Sequence, residues 1–561
     1  MTVPITTGRR DATDAPASAR IRSRLPRFTL NPWFWFVIVL AGGSALRLVG
    51  LGWGLPLQLH PDEWVVVRGA IDMAERNSFE PAAFSRPDHL EIQLTYFAYM
   101  LYGYLVHGAP PELVYADDQA PFYLIARAVI AVLGILCIPL GMMIGRRLSP
   151  RIGVLTAATI AFFPPLISNS HYATPDVPLV LAGLIVVYAC MRYMESPGWV
   201  WLLSACAAVA VGFIAKYPGA LAGVIVAACV IVAGLRDHAG RRTVAHLLVA
   251  PVAFLVCVFV LSPVLFTNFT AVREQLVGQN STGHLGADGL GFFGNLGFYA
   301  DDGFRYFGVL MTLLALLGAW RLVTQRVLIA LPYLIGVVMW LGISVLTLHW
   351  NRWGLPMYTT VLLLAPVGMA HLADVLRAAR LGRAAAPVAA TVVGIVLANQ
   401  IATSAAALVG FTAPDNRAEA LKYFEANGIT QDNTVYEGYT PLLPGAPWPI
   451  FDSFETVDGR LRVSADDERA PRARYVVTSS GMYGRYLREA RYAREQEFYE
   501  QLDEQFVEVR RWSSSNIDAA VTPLEPLNVV RQLRHVARGV AGDVTAGPTI
   551  VLYEMPDPAG R

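Results

Sequence analysis

Residues 33–64 read WFWFVIVLAGGSALRLVGLGWGLPLQLHPDEW and join a long apolar segment to a pair of acids. Trp33–Leu51 is apolar almost throughout, which predicts a membrane helix that two glycines then end. Asp62 and Glu63 follow at the mouth of that helix. A charge costs about 2.5–3.5 kcal/mol at the bilayer centre and less near the surface, so acids kept here are candidates for chemistry. The alternative is a solvated acidic loop, and this segment alone does not decide between the two.

The composition indicates a polytopic membrane protein. Of 561 residues, 55% are hydrophobic and 16% are charged, whereas a soluble domain carries about 25% charged residues. The formal net charge of +1 gives no reason to expect a nucleic-acid partner. The five cysteines lie in apolar segments without C-x-x-C spacing, which predicts packing roles and neither disulfides nor a cysteine-bound metal.

About eleven apolar segments are long enough to cross about 30 Å of hydrocarbon. They are 32–51, 122–144, 152–168, 177–194, 200–215, 218–235, 244–266, 304–320, 327–347, 353–373 and 385–410. Counted this way, every arginine cluster between the segments lies on one side, which the positive-inside rule makes the cytoplasm. If the tyrosine-rich segment 91–107 also crossed the membrane, the later arginine clusters would lie outside, against the positive-inside rule. We therefore expect interfacial or re-entrant helices within the first outer loop, 52–121.

The two ends of the chain differ from the apolar part. Residues 1–30 predict a disordered cytoplasmic tail without a cleavable signal peptide. Residues 31–411 form the predicted membrane domain. Residues 412–561 alternate short helical and strand patterns, which predicts an extracytoplasmic soluble α/β domain. We expect this domain to act as a lid or an acceptor-docking module and assign it no chemistry.

Polar residues collect at the predicted outer ends of the membrane helices. The candidates are His60, Asp62, Glu63, His89, His171, Asp176, Lys216, Tyr217, His284 and Arg352. A transporter places its ligands near the bilayer midplane, whereas a polar layer at the surface suits an amphiphilic substrate whose head group reacts there. A divalent cation held by Asp62, Glu63 and Asp176 is chemically reasonable, although nothing in the sequence requires one.

Several candidates have simpler interpretations. His171 could be an interfacial histidine that bonds a backbone carbonyl, and Lys216 could extend to the lipid head groups. Arg352 could bind lipid phosphate without specificity. Arg47 could equally extend to the membrane surface or take part in the chemistry. The sequence leaves these alternatives open.

Six motifs in order carry a family resemblance. They are His60–Glu63, Ile144–Leu148, Ser170–Asp176, Ala215–Gly219, Thr282–Gly286 and Asn351–Pro356. With them the chain resembles the GT-C membrane glycosyltransferases, the group of the dolichyl-phosphate-mannose–protein mannosyltransferases and the lipid A aminoarabinose transferases. Arg86–His89 departs from the Lys-Pro-Pro stretch usual in the second group, which leaves the sugar and the acceptor open.

The resemblance implies an α-helical GT-C fold with an extracytoplasmic active site. The high content of Ala, Gly and Arg indicates a bacterial source, and so we expect a bacterial plasma membrane. The donor would be a polyprenyl-phosphate-linked sugar, and the acceptor a glycan, lipid or protein hydroxyl. Asp62 matches the catalytic acid and would act as general base in an inverting transfer, with Glu63 in support. Asp176 matches a second acidic position, and Lys216 and Arg352 match basic positions that face the donor phosphate.

The remaining candidates would contact substrate: His60, His89, His171, Tyr217 and His284. Two other classes stay open on the sequence: a lipid-linked-sugar flippase, which would need a polar path through the spans, and a membrane scaffold. The sequence offers little such path, and a scaffold leaves the acidic pair unexplained.

Overall fold

The computed structural model describes residues 31–82, 89–279, 289–442, 450–487, 492–517 and 525–556. Helices make up the chain as far as Thr412, and strands occur only after it within these ranges. The predicted tail 1–30 lies outside the described residues.

Within the described ranges, seventeen α-helices precede the C-terminal region. They are α1 Pro32–Leu48, α2 Glu63–Glu75, α3 His89–Leu101, α4 Pro111–Asp117, α5 Ala120–Gly145, α6 Pro150–Ala161, α7 Pro164–Asn169, α8 Asp176–Glu195, α9 Trp199–Ala215, α10 Ala222–Arg236, α11 Gly240–Leu261, α12 Val264–Thr267, α13 Phe269–Gln279, α14 Gly291–Thr324, α15 Ile335–Ile343, α16 Thr359–Ala378 and α17 Ala385–Thr412. A π-helical turn, Tyr102–His107, extends α3 and ends at Gly108 in the left-handed conformation.

The helices identify a multi-pass membrane protein. In the part of the chain that the structure describes, seven are long and apolar enough to cross a bilayer by length and composition: Ala120–Gly145, Asp176–Glu195, Tyr217–Arg236, Gly240–Leu261, Gly291–Thr324, Thr359–Ala378 and Gly382–Thr412. Four shorter apolar helices, Pro32–Leu48, Pro150–Ala161, Trp199–Ala215 and Leu328–Ile343, occupy the other predicted segments. A proline accounts for one of these shorter lengths, since Pro164 starts a new helix after α6. Pro332 lies within the 3-10 part of Leu328–Ile343. The count of eleven spans stays a prediction.

Close backbone contact joins the long helices α14 and α16. A Cβ atom at Gly368 would overlap the Leu314 carbonyl, and one at Gly318 would overlap the Leu364 carbonyl. Small residues allow this approach between membrane helices. Farther along, α14 bends at Gly308, whose φ of 66° is open to glycine. The bend lies between the end of α14 that bears Asp302 and the part that packs on α16.

The C-terminal region contains α18 Asn416–Ala426, α19 Ser480–Tyr486, α20 Ala493–Gln505 and α21 Glu525–Ala541. Its strands are β1 Thr434–Tyr436, β2 Phe454–Val457, β3 Arg460–Val463, β4 Tyr475–Ser479, β5 Val507–Trp512 and β6 Ile550–Glu554. One sheet has the order β1-β4-β6-β5, with β1 parallel to β4 and the other pairs antiparallel, and β2 and β3 form a hairpin. The predicted mixture of helices and strands is confirmed. The N-cap of α18 is Asp415, whose side chain accepts from the Arg417 backbone N–H.

Candidate active site

Asp62 and Arg352 form an ion pair across 290 residues of sequence. Asp62 lies in the turn before α2, and Arg352 lies in a 3-10 turn, Asn351–Gly354, after α15. The Arg352 guanidinium donates to Asp62 Oδ2 at 2.5 Å, and about a quarter to a third of each side chain is exposed. Two loops that follow different helices therefore bring a base and a cation together where a substrate can reach both.

His60 lies directly beside this pair. Its Nδ1 accepts the Asp62 backbone N–H at 3.2 Å, and its ring packs on Tyr172 with 4.4 Å between the ring centroids. Burial lowers the pKa of His60 to about 4, helped by the Arg352 and Arg127 charges and opposed by the Glu63 and Asp62 carboxylates. His60 is therefore neutral near pH 7, and its Nδ1 is the acceptor nitrogen.

Glu63 points away from Asp62 into the protein. Its two carboxylate oxygens accept from Arg127 of α5 at 2.8 and 2.7 Å, and neither side chain is exposed. The Ala173 backbone N–H also donates to Glu63 at 2.9 Å. Arg127 further donates to the carbonyls of Leu51 and Trp53. This cluster ties the start of α2 to α5 and to two loops, and so fixes the place of Asp62.

Asp176 and Lys216 make a second ion pair. Asp176 is the first residue of α8, Lys216 follows α9, and Lys216 Nζ donates to Asp176 Oδ1 at 2.7 Å. The same Nζ lies 5.0 Å from the centre of the Trp353 ring. Because Trp353 follows Arg352 in the chain, one short turn adjoins both ion pairs.

Asp302 of α14 anchors the turn that carries Arg352. Asn351 donates to Asp302 Oδ1 at 2.5 Å, and the Tyr358 hydroxyl also donates to Asp302. Arg127 and Asp302 are not among the site residues predicted from the sequence. Arg127 is the one charged residue of the apolar helix α5, and that signal could have identified it. Asp302 shares α14 with Asp301, Arg305 and Arg321 and has no such signal.

His171 and Arg47 bond backbone groups. The His171 ring nitrogens lie 2.9 and 2.8 Å from the carbonyls of Ile167 and Val49. Arg47 is fully buried and donates to the carbonyls of Gly43, Ile160 and Ala161. Arg47 therefore neither extends to the surface nor faces substrate, because it satisfies the carbonyl groups at the end of α6.

The other candidates lie apart from the ion pairs or outside the described residues. His89 is buried, with its Nδ1 2.6 Å from Ser262 Oγ. Tyr217 follows Lys216 and packs on Phe213 at 5.3 Å. His284 lies outside the described residues, as do Arg86 and Asp88.

The carboxylates do not fit a divalent cation as they stand. Asp62, Glu63 and Asp176 each pair with a different basic side chain. Among the described ranges, no group of three or more His, Cys, Asp or Glu side chains could hold a metal ion.

The C-terminal region contacts both loops of the Asp62–Arg352 pair. Arg417 of α18 donates to the Leu59 carbonyl at 2.9 Å, just before His60. Arg485 of α19 lies 5.3 Å from the centre of the Trp350 ring, two residues before Arg352. The sheet region is thus attached to the site from two directions.

Comparison with known proteins supports a family resemblance. The family model for dolichyl-phosphate-mannose-protein mannosyltransferase matches residues 117–266, a range that includes Arg127, Asp176 and Lys216. None of the curated proteins compared with the chain matches it.

Among solved structures, ArnT from Cupriavidus metallidurans in the apo state shares 18% identity at a TM-score of 0.45, over 71% of this chain and 73% of that one. ArnT from the same organism bound to undecaprenyl phosphate shares 20% at 0.44, with the same coverage. The archaeal oligosaccharyltransferase AglB from Archaeoglobus fulgidus, in complex with an inhibitory peptide and a dolichol-phosphate, shares 11% at 0.43, over 86% and 74%. The chain is a membrane protein that, over residues 117–266, is similar to the dolichyl-phosphate-mannose-protein mannosyltransferase family.

Proposed function

We propose that this protein transfers a sugar from a polyprenyl-phosphate donor to an acceptor hydroxyl at the outer surface of a bacterial plasma membrane. The observation that carries the proposal is the partly exposed Asp62–Arg352 pair, which sets a proton acceptor beside a phosphate-binding cation. The family match adds support, because its members are described as using a lipid phosphosugar. The outer location follows from the arginine distribution.

In this mechanism the donor phosphate exchanges partners with Asp62. Arginine binds phosphate through two parallel hydrogen bonds, so Arg352 turns from the carboxylate to the incoming phosphate. The freed Asp62 takes the proton of the acceptor hydroxyl as that oxygen bonds to the anomeric carbon. The bond from that carbon to the phosphate oxygen breaks, and the lipid phosphate leaves with the electron pair. Attack opposite the phosphate inverts the anomeric configuration.

The neighbouring groups take supporting parts. Lys216 supplies a second positive charge for the phosphate, and Asp176 holds Lys216 in place. Glu63 fits a positioning part better than a catalytic one, because Arg127 and the Ala173 N–H occupy its oxygens. The neutral His60 can hydrogen-bond substrate through Nε2. His89, His171, Tyr217 and His284 stay predicted substrate contacts.

The experiment measures polyprenyl phosphate released from polyprenyl-phosphate hexoses and pentoses by the purified full chain in nanodiscs. Wild type should release the lipid phosphate with at least one donor. Asp62→Asn should lower the rate about 10²- to 10⁴-fold, as expected for a lost general base. Asp72→Asn is the matched control, because Asp72 also lies next to an arginine, Arg76, but on the exposed face of α2.

Two results would overturn the proposal. One is movement of the intact donor across the bilayer without cleavage, which is flippase behaviour. The other is equal release by Asp62→Asn and Asp72→Asn. The donors to be tested first are those that accumulate in cells lacking the protein, identified by mass analysis of their lipids.

A further inference from the structure

Helix α21 of the C-terminal region packs along α17 through polar side chains. Asn528 donates to Asn399 Oδ1 at 2.7 Å and to Thr403 Oγ1 at 3.3 Å, and Gln532 donates to Asn528 Oδ1 at 3.2 Å. All four side chains are buried. Hydrogen bonds between polar side chains are a recognised means of joining helices inside a bilayer.

The two helices run parallel, and α21 reaches deep along α17. Asn528 lies against Asn399, whereas Gly539 lies against Val409, where an added Cβ would be 2.7 Å from the valine. The eleven residue steps from Asn528 to Gly539 span about 16 Å of helix. Phe411, stacked on His171 at 4.2 Å, marks the level of the polar site. From that level α21 continues inward along a helix that is long and apolar enough to span the membrane.

The buried face of α21 differs from that of a water-soluble helix. Its buried residues are polar: Asn528, Gln532 and His535 are at most 3% exposed. Its aliphatic residues point outward, with Val530 48%, Leu533 52% and Val540 85% exposed. A helix on a soluble domain buries its apolar stripe and exposes its polar one. This arrangement suits hydrocarbon outside and hydrogen-bonding partners inside.

Three arginines border the exposed aliphatic residues. Arg531, Arg534 and Arg538 are exposed, and Arg538 reaches outward to the carbonyl of Asp543 at 3.1 Å. Arginine side chains near a bilayer surface extend to the lipid phosphates and thin the leaflet locally. The charge and the aliphatic stripe together fit an anionic lipid leaflet.

We propose that α21 is inserted in the membrane leaflet on the side of Asp62. Val530, Leu533 and Val540 contact acyl chains, and Arg531, Arg534 and Arg538 bind anionic lipid head groups. The region after Thr412 is then not wholly soluble, because α21 lies between the polar residues of α17 and the lipid. This inference does not depend on the proposed chemistry.

Spin labels on cysteine variants test the insertion in nanodiscs of phosphatidylethanolamine and phosphatidylglycerol. Labels at Val540→Cys, Leu533→Cys and Val530→Cys should collide with oxygen more than with a water-soluble nickel chelate. Their depth should increase in that order, over about 15 Å in all. Val507→Cys, on β5 and 63% exposed, is the control that should meet the nickel chelate. Unsubstituted protein gives the background from the native cysteines, and size-exclusion elution checks that each variant is folded.

Two outcomes overturn the insertion. One is nickel access at Val530 and Leu533 equal to that at Val507. The other is shielding from both reagents with spin–spin broadening, which would place a second copy of the chain against this face of α21.

The lipid contact has its own test. Phosphatidylglycerol should raise the melting temperature of wild type and of Arg494→Gln relative to phosphatidylcholine, and should not do so for the double variant Arg531→Gln/Arg534→Gln. An unchanged lipid effect in the double variant would remove the arginine contact.

Discussion

Asp62 and Glu63 are neighbours in the chain, but their carboxylates have different surroundings. Asp62 is 27% exposed beside Arg352, whereas Glu63 and Arg127 are completely buried. Removing one partner of a buried pair leaves an uncompensated charge, which costs about 3–5 kcal/mol. An exposed pair contributes about 0–1 kcal/mol. Burial therefore separates a group available for chemistry from one that holds structure.

This difference predicts a stability contrast within α2. Glu63→Gln should lower the melting temperature of the full chain strongly, because Arg127 is left buried with its charge. Glu75→Gln, which breaks the exposed Arg68–Glu75 pair, should change it little. Thermal unfolding in one detergent compares the two, and equal small effects would contradict the assigned part of the Glu63–Arg127 pair.

The C-terminal sheet region contains a second buried acid, Glu437. Glu437 follows β1 and accepts from the Ser479 N–H at 2.6 Å and the Tyr499 hydroxyl at 2.7 Å. Burial raises its pKa to about 8, against the effect of these two donors. The folded chain thus keeps a proton that an unfolded glutamate releases near pH 4.3. Stability from this group is complete below about pH 4.3 and is lost as the pH rises to about 8.

Glu437→Gln should therefore flatten the decline of the melting temperature between about pH 5 and pH 8. The glutamine keeps the shape of the side chain and carries no charge at any pH. Glu455→Gln on β2, at an exposed position, should retain the wild-type profile. An unchanged decline in Glu437→Gln would mean that other groups cause it.

Helix pairs depend on contacts of a different kind. The close approach of α14 and α16 requires glycine at 368, so Gly368→Val should force the helices apart and cost about 1–3 kcal/mol or more. Gly394→Val in α17 is the matched control, since an added Cβ there meets nothing within 4 Å. The measurement is the melting temperature in detergent. Similar values for both variants would argue against the packing of α14 on α16.

The sheet region and the membrane helices meet at the site, so we expect activity to depend on their contact. Arg417 is 5% exposed and bonds the Leu59 carbonyl just before His60. Arg417→Gln should lower the turnover of donor about tenfold with little change in the binding of polyprenyl phosphate, because it loosens the Asp62 loop and leaves Arg352 in place. Arg494→Gln, on the exposed side of α20, is the control. A change in binding alone would assign Arg417 to substrate contact instead.

The membrane architecture could be predicted because apolar length and charge are local properties of the sequence. The same reasoning identified Asp62, Asp176, Lys216 and Arg352 as polar groups at helix ends. It could not show which of them form pairs, because the 290 residues between Asp62 and Arg352 do not tell how far apart the two side chains lie in the fold. Arg127 is the one charged residue of the apolar helix α5, but the sequence does not show that its partner is Glu63, 64 residues away. The sequence does not identify α21 as a lipid-facing helix, because arginines interrupt its aliphatic stripe. Only its polar contact with α17 indicates which side faces lipid.

The division of labour between Asp62 and Arg352 is tested most directly by measuring polyprenyl-phosphate binding and transfer in the same variants. Asp62→Asn should bind polyprenyl phosphate at least as tightly as wild type, because Arg352 loses a competing carboxylate, while transfer falls about 10²- to 10⁴-fold. Arg352→Gln should weaken binding about 10- to 100-fold, the loss of one charge-assisted contact. Asp72→Asn should change neither quantity. Transfer by Asp62→Asn at the wild-type rate would contradict the account.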